Sequence, residues 1–347
     1  MARKISLNSA YGAIGNEWFR YYDLRIAEGI TSSGQLSIRW IEKSLNEYLN
    51  KLLKTNGEDY VIASDTDSVY ITFDKLVNTV LKKRTDESED SYRGRAVDFL
   101  DTIAKEKIEP FIDSCYQDLA SYVNAYEQKM QMAREVIADK GIWTAKKRYI
   151  LNAWDVEGVR YQEPQLKIMG IEAVKSSTPA PCREKIKEAL KIIMRGTEKD
   201  VNNFIQEFRD EFMQLPPEEI AFPRSVNGIA KWSSGSNIFM SGTPMHCKGA
   251  ILYNHFLKKQ KLTNKYPIIQ EGEKIKFLNM RTPNPMQSNV ISFMTKLPKE
   301  LDIHKYLDYD KQYEKAFVEP LTFIMNQIGW QIDRSYGTQT TLEDFFG

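Results

Sequence analysis

Hydrophobic positions follow two different periods along the chain. Leu36, Ile38, Trp40, Ile41, Leu45, Tyr48, Leu49, Leu52 and Leu53 recur at helical spacing. They predict a long amphipathic helix entered at Thr31-Ser-Ser-Gly34, with Trp40 and Tyr48 on its core side. Beyond it the period shortens to two. Val61 and Ile62 lead into the polar tip Ala63-Ser64-Asp65-Thr66-Asp67-Ser68, and the chain leaves through Val69, Ile71 and Phe73, with Tyr70 and Thr72 opposite. This predicts a β-hairpin whose turn holds two carboxylates. Helical spacing returns over about residues 95–132, with Val97, Leu100, Ile103, Ile108, Phe111 and Leu119 on the apolar side and Pro110 as a kink. Strands follow at 149–154 and 159–161 around a turn at Glu157-Gly158. Past Pro179 the pattern predicts helices over 184–194 and 200–213, then a Pro- and Gly-bearing loop region over 215–250. The expected class is α+β, a sheet with covering helices followed by a separate, mostly helical domain.

Composition narrows this picture. A chain of 347 residues, 42% hydrophobic and 27% charged, can bury a sizeable core in two or more domains. The formal net charge is only +1, so any nucleic-acid-binding surface must be local. Cys115, Cys182 and Cys247 are odd in number and widely spaced, which points to reduced thiols in a cytosolic setting. His246, Cys247 and His255 lack a second ligand pair at zinc spacing, and core or surface roles are expected for them. No apolar run reaches the length of a membrane span, and there is no signal-peptide pattern.

Two stretches suggest chemistry. The Asp65-Thr-Asp67 turn offers hard oxygen donors on a rigid hairpin, which suits magnesium; its plainer reading is an ordinary turn, since Asp and Thr bond their own backbone. Lys4, Asn8 and Tyr11 fall at i, i+4 and i+7 and would share one helix face, offering a cation, an amide and a phenol. The plainer reading there is a solvated face. Lys4-x-x-x-Asn8-Ser9-x-Tyr11-Gly12, followed by Asp65-Thr-Asp67-Ser68, resembles two signature motifs of the family B DNA polymerases, and the neighbouring words are most similar to those of T-even-type bacteriophages. Further words continue the match in order: Lys140-Gly-Ile-Trp143-Thr-Ala-Lys146-Lys147-Arg148-Tyr149, then Leu166 to Glu172, Lys175-Ser-Ser-Thr-Pro179, His246-Cys-Lys248-Gly249 and Tyr253-Asn254.

The resemblance implies a division into the end of a fingers helix (1–16), palm (17–171), thumb (172–335) and a tail (336–347). It implies two magnesium ions, with Asp67 a direct ligand, Asp65 beside it tuning charge, and Glu135 a further acidic residue on a neighbouring strand. Lys4 and Asn8 would face the deoxynucleoside triphosphate and Tyr11 the nascent base pair. Lys146, Lys147, Arg148 and Tyr149, with Lys175 and Lys248, would grip primer-template DNA; as a bare charge run they would be a solvated strand face. Gln339, Leu342, Phe345 and Phe346 resemble a sliding-clamp-binding peptide, and otherwise read as a terminal helix packed on its own domain. Such an enzyme would work in the cytoplasm of an infected bacterial host.

The departures matter equally. The upstream motif bearing the first metal-binding aspartate is not found, nor are the exonuclease motifs or most of the fingers; Ala63-Ser64 stands where the phage family usually has Tyr-Gly. The chain starts at Met1, inside the expected nucleotide-contacting helix, which then needs something to pack on. The expectation is the C-terminal subunit of a split polymerase, completed by an N-terminal polypeptide with exonuclease, first palm motif and fingers. Its mark would be an exposed apolar surface near residues 1–30. The alternatives are a non-catalytic DNA- and clamp-binding accessory protein or remnant, and a magnesium nuclease using Asp65 and Asp67.

Overall fold

The computed structural model describes residues 2–233 and 238–334. Helix α1 (Ala2–Ile14) has no fully buried side chain among its described residues, whereas α2 (Leu24–Leu53) buries Ile41, Leu45 and Leu49. The start of α2 corrects the expected entry at Thr31–Gly34. Asp23 caps it by accepting from the Arg25 N–H at 2.9 Å, and the helix runs straight through the Thr-Ser-Ser-Gly stretch. Hydroxyls there need not break it: Thr31 and Ser37 donate back to the carbonyls of Ala27 and Ser33.

Strands β1 (Val61–Asp65) and β2 (Ser68–Ile71) form the expected hairpin, with Asp65 opposite Ser68. Three helices follow, α3 (Asp74–Val80), α4 (Glu89–Ile103) and α5 (Glu109–Tyr122). Tyr60 and Val61 pack with Ile41, Leu45 and Leu49 of α2 and with Ile112, Tyr116 and Leu119 of α5, so the hairpin is mounted on two helices. Pro110 lacks an N–H and its ring crowds the carbonyl four residues back; a wide π-turn over Ala104–Ile108 absorbs both, and the helix continues through it. Helix α5 stops at Tyr122, short of the expected 132. Asn124 takes a left-handed φ of 51°, and the Ala125 N–H closes onto the Ala120 carbonyl at 2.8 Å.

Strands β3 (Val136–Ala145), β4 (Arg148–Val156) and β5 (Val159–Met169) make a sheet of order β3-β4-β5. Strand β4 is buried from Tyr149 to Asp155, as befits a central strand. Glu157 and Gly158, at φ 52° and 85°, supply the positive-φ pair that a two-residue hairpin turn requires.

Next come α6 (Ala180–Arg195) and α7 (Glu198–Gln214), the latter opened by a reciprocal Thr197–Asp200 capping box, then α8 (Pro217–Ile220). The region expected as loop and helix also holds a second three-stranded sheet. It comprises β6 (Phe222–Ser225), β7 (Lys274–Asn279) and β8 (Val290–Phe293), with α9 (Ile229–Trp232) and α10 (Met245–Lys259) between β6 and β7. Helix α10 approaches β8 so closely that a Cβ at Gly249 would lie 2.7 Å from the Ser292 nitrogen. Helices α11 (Tyr309–Tyr313) and α12 (Glu319–Met325) flank another π-turn, again just ahead of a proline, Pro320. Tyr313 of α11 and Phe317 of this π-turn interlock with Phe208 and Phe212 of α7.

The fold is α+β with three small antiparallel sheets. The chain divides into two compact units: Met1–Asp139 with Ala153–Gln165, and Lys140–Asn152 with Leu166 onward. Among the described residues no helix is long and apolar enough to cross a membrane.

Candidate functional site

In the first unit, the hairpin tip is tightly determined. Thr66 sits at φ 53°, a region that costs a β-branched residue roughly 1–2 kcal/mol. The Asp67 N–H turns back onto the Asp65 carbonyl at 2.6 Å, and the Ser68 hydroxyl donates to the same carbonyl at 3.1 Å. Thr66 Oγ1 donates to Asp65 Oδ1 at 2.9 Å, holding that half-buried carboxylate in one rotamer. Asp67 is exposed, and its carboxylate has no partner among the described residues. Ser64, in the departing Ala63-Ser64 pair, donates to Glu42 of α2 at 3.4 Å and ties the hairpin flank to its support.

Glu135 lies one residue before β3, exposed, with its carbonyl accepting from the Glu157 N–H at 2.7 Å. Its neighbour Arg134 turns inward to Asp101 and Asp155, and Asp155 also accepts from Arg160 Nε at 3.2 Å. Burial alone would raise the Asp155 carboxyl, but hydrogen bonds from Arg134 and Arg160 outweigh it and hold it below the ordinary range. This network pins the strand start beside Glu135. Among the described residues no three His, Cys, Asp or Glu side chains group closely enough to hold a metal ion. Asp65, Asp67 and Glu135 are therefore not gathered into a three-ligand set by this chain. The tip's oxygen donors suit a hard cation, yet a complete site needs ligands beyond them.

Lys4, Asn8 and Tyr11 all fall within α1, at the spacing that puts them along one side, and Asn8 and Tyr11 are exposed.

In the second unit, Lys146 and Lys147 form the turn between β3 and β4, both exposed and without an ion-pair partner among the described residues; Lys147 has a φ of 60°. Gly170, at φ 66°, lies against this turn, where a Cβ would come 2.2 Å from the Lys147 carbonyl oxygen. Only glycine fits there. Arg148 differs from its neighbours. It donates to Glu172 Oε2 at 2.7 Å, and its guanidinium lies 5.4 Å from the Phe323 ring centre. Lys175 takes the other oxygen of Glu172 at 2.9 Å. Burial raises the Glu172 carboxyl, yet the Lys175 hydrogen bond and the two nearby cations hold it below its usual range. Tyr149 is buried, its ring centre 6.4 Å from that of Trp143. Lys248 Nζ donates to Asn289 at 3.2 Å and lies 4.9 Å from the Phe239 ring centre. Gln339, Leu342, Phe345 and Phe346 lie outside the described residues.

Sequence reasoning missed Glu172 as the anchor of Arg148 and Lys175, and it missed the Arg134–Asp155–Arg160 network. Glu172 and Lys175 at i, i+3, and Asp155 and Arg160 across one hairpin turn, offered weak signals; Arg134 and Arg148 reach partners distant in sequence.

No family model matches the chain. It is similar to the DNA-directed DNA polymerase of Enterobacteria phage T4, 38% identical over 358 aligned positions that cover 99% of this chain and 38% of that protein. It is also similar to the DNA-directed DNA polymerase of Escherichia phage RB69, 41% identical over 334 positions covering 92% and 36%. A DNA polymerase beta of African swine fever virus matches at 29% over 182 positions, half of this chain and 14% of the viral protein. The chain thus spans a little over a third of the length of the two phage relatives.

Proposed function

The chain corresponds to part of a T4-like phage DNA polymerase, and from that premise we propose that it is the C-terminal palm-and-thumb portion of a DNA-directed DNA polymerase of family B. The observation behind this reading is similarity along nearly the whole chain, with the paired carboxylates on a rigid, outward hairpin tip. The active site is completed by a second polypeptide, which brings the exonuclease, the first palm motif and the fingers. Bound magnesium, two ions in the assembled site, supplies activation of the primer hydroxyl and charge neutralisation at the triphosphate.

This chain's own contribution follows from its residues. Asp67 offers an unpaired carboxylate as a ligand, Asp65 sits fixed beside it, and Glu135 adds a third acidic group once the partner shapes the site. Lys4 and Asn8 neutralise and orient the deoxynucleoside triphosphate, and Tyr11 bears on the nascent pair. Lys146 and Lys147 are free to meet backbone phosphates of primer-template DNA, which recognises duplex without reading sequence. Arg148, Tyr149, Lys175 and Lys248 complete the grip on primer-template DNA. The terminal Gln339, Leu342, Phe345 and Phe346 dock a sliding clamp, and the assembly acts in the cytoplasm of an infected bacterium.

The test uses a complementing polypeptide: the stretch of the source's polymerase aligning with the relatives' remaining length, expressed as a separate chain. In the assembled enzyme, Asp67→Ala should lower nucleotide incorporation by a factor of about 10³ or more while duplex affinity changes little. Incorporation that survives the change removes Asp67 from the metal site.

A further inference from the structure

The strand that leads to the paired carboxylates is held from outside its own sheet. Strand β1 fully buries only Val61 and β2 no residue, so burial by itself holds their register weakly. The pairing also contains a bulge: Val61 lies opposite Ile71 and Ala63 opposite Tyr70, which leaves Ile62 without a partner. A slip of one residue at that point would send Asp65 and Asp67 to the opposite face. Some contact must decide where the extra residue falls.

Two asparagines of α2 make that contact. Asn46 and Asn50 lie one turn apart on the same side of the helix, both half-buried. Asn46 Oδ1 accepts from the backbone N–H groups of both Tyr60 and Val61, at 2.8 and 3.0 Å, and its Nδ2 donates to Asp59 Oδ1 at 2.8 Å. Asn50 Oδ1 accepts from the Glu58 N–H at 3.0 Å and from the Thr55 hydroxyl at 2.9 Å. Its Nδ2 donates to the Glu58 carbonyl at 2.7 Å and to the Asn46 carbonyl at 2.8 Å. The Asn50 amide thus uses every donor and acceptor it has. On the other edge the Tyr60 carbonyl accepts from the Thr72 N–H at 2.9 Å and closes the hairpin base. Residues 58–61 are therefore tied to the helix just ahead of the bulge. Tyr60 and Val61 are also buried, but apolar contact is non-directional, whereas two N–H groups converging on one oxygen admit a single register.

We propose that Asn46 and Asn50 are positioning residues for the carboxylate hairpin: they set the bulge at Ile62, and through it the place of Asp65 and Asp67. The catalytic consequence rests on the proposed polymerase reading, in which both asparagines act through the strand and not on a substrate. A metal-binding carboxylate has to stand within about 0.5 Å of its working position. A register error ahead of the tip therefore falls on the chemical step, while nucleotide and duplex binding, which use other residues, are spared.

Two readouts separate the parts of this proposal. NMR of this chain alone follows the cross-strand contact of Ala63 with Tyr70, and nucleotide incorporation is measured with the complementing polypeptide in magnesium. Asn46→Leu keeps the size of the side chain and removes the acceptor for both N–H groups. Asn46→Asp combined with Asp59→Asn keeps that acceptor and reverses donor and acceptor in the remaining bond. We expect Asn46→Leu to lose the Ala63–Tyr70 contact and to lower the rate at saturating nucleotide about a hundredfold, with KM and duplex affinity within about twofold of wild type. The exchanged pair should restore both readouts. Where Asn46→Leu does not fold, Asn46→Ala, which admits water to the two N–H groups, should show the same split at about tenfold. Val97→Ala, in a separate buried cluster of the same unit, controls for lost stability and should leave the rate unchanged. An unchanged Ala63–Tyr70 contact in Asn46→Leu, a rate no lower than that of Val97→Ala, or an effect confined to KM would overturn the positioning role and leave the polymerase reading standing. A wild-type mixture that incorporates nothing would sink both.

Discussion

Lys146 and Arg148 stand two residues apart in one basic run, and their surroundings separate their roles. Lys146 is exposed at a turn without an ion-pair partner among the described residues; Arg148 is held between Glu172 and Phe323. Lys146→Ala should weaken duplex binding evenly across sequences and lower the salt slope by about 0.9 for the lost phosphate contact, leaving stability within about 0.5 kcal/mol. Arg148→Ala should lower stability by roughly 1–3 kcal/mol, since it strips the half-buried Glu172 of one of its two cations. Salt-dependent duplex titrations and denaturant midpoints read the two effects, and equal stability losses would merge the roles again. The sequence made the basic run visible but not this division, because the partners of Arg148 are distant along the chain. Asp65 and Asp67 were legible because the apolar alternation on both sides fixes where the turn must fall.

Elements were legible where a period had room to repeat. Leu45, Leu49 and their neighbours made α2 plain, while its true start depended on one capping aspartate, Asp23, outside the periodic stretch. Strands β6 and β8 have four residues each, β6 includes Pro223 and β8 is buried throughout, so neither shows the alternation that reveals a half-buried strand. The ion network behind β3 and β4 was likewise faint, since Asp98, Arg134, Asp155 and Arg160 come from three separate stretches. That network gives this part of the fold a pH signature. The Asp155 carboxyl titrates lower in the folded chain than in the unfolded one, where about 3.9 is usual. Its stabilisation is therefore complete above about pH 3.9 and is lost as pH falls through the lower folded value. Asp155→Asn should cost roughly 3 kcal/mol at pH 7, and the gap to wild type should close below about pH 4. A gap in denaturant midpoints that persists unchanged at pH 3 would mean that packing, not charge, holds these strands.

At the scale of the molecule, a near-zero net charge coexists with a local basic turn, and two compact units each have a core of their own. Similarity to the phage polymerases covers this chain but little more than a third of theirs. Composition alone gave no hint of nucleic acid; the order of several short words along the chain did. The paired carboxylates stand at the hairpin tip, and α1 fully buries none of its described side chains. The most direct measurement is primer extension in magnesium with all four deoxynucleotides, using this chain alone, the complementing polypeptide alone, and the two together. We expect synthesis only from the mixture. Synthesis by this chain alone, or none from a mixture that forms a stable complex and binds duplex, would contradict an active site assembled from two polypeptides.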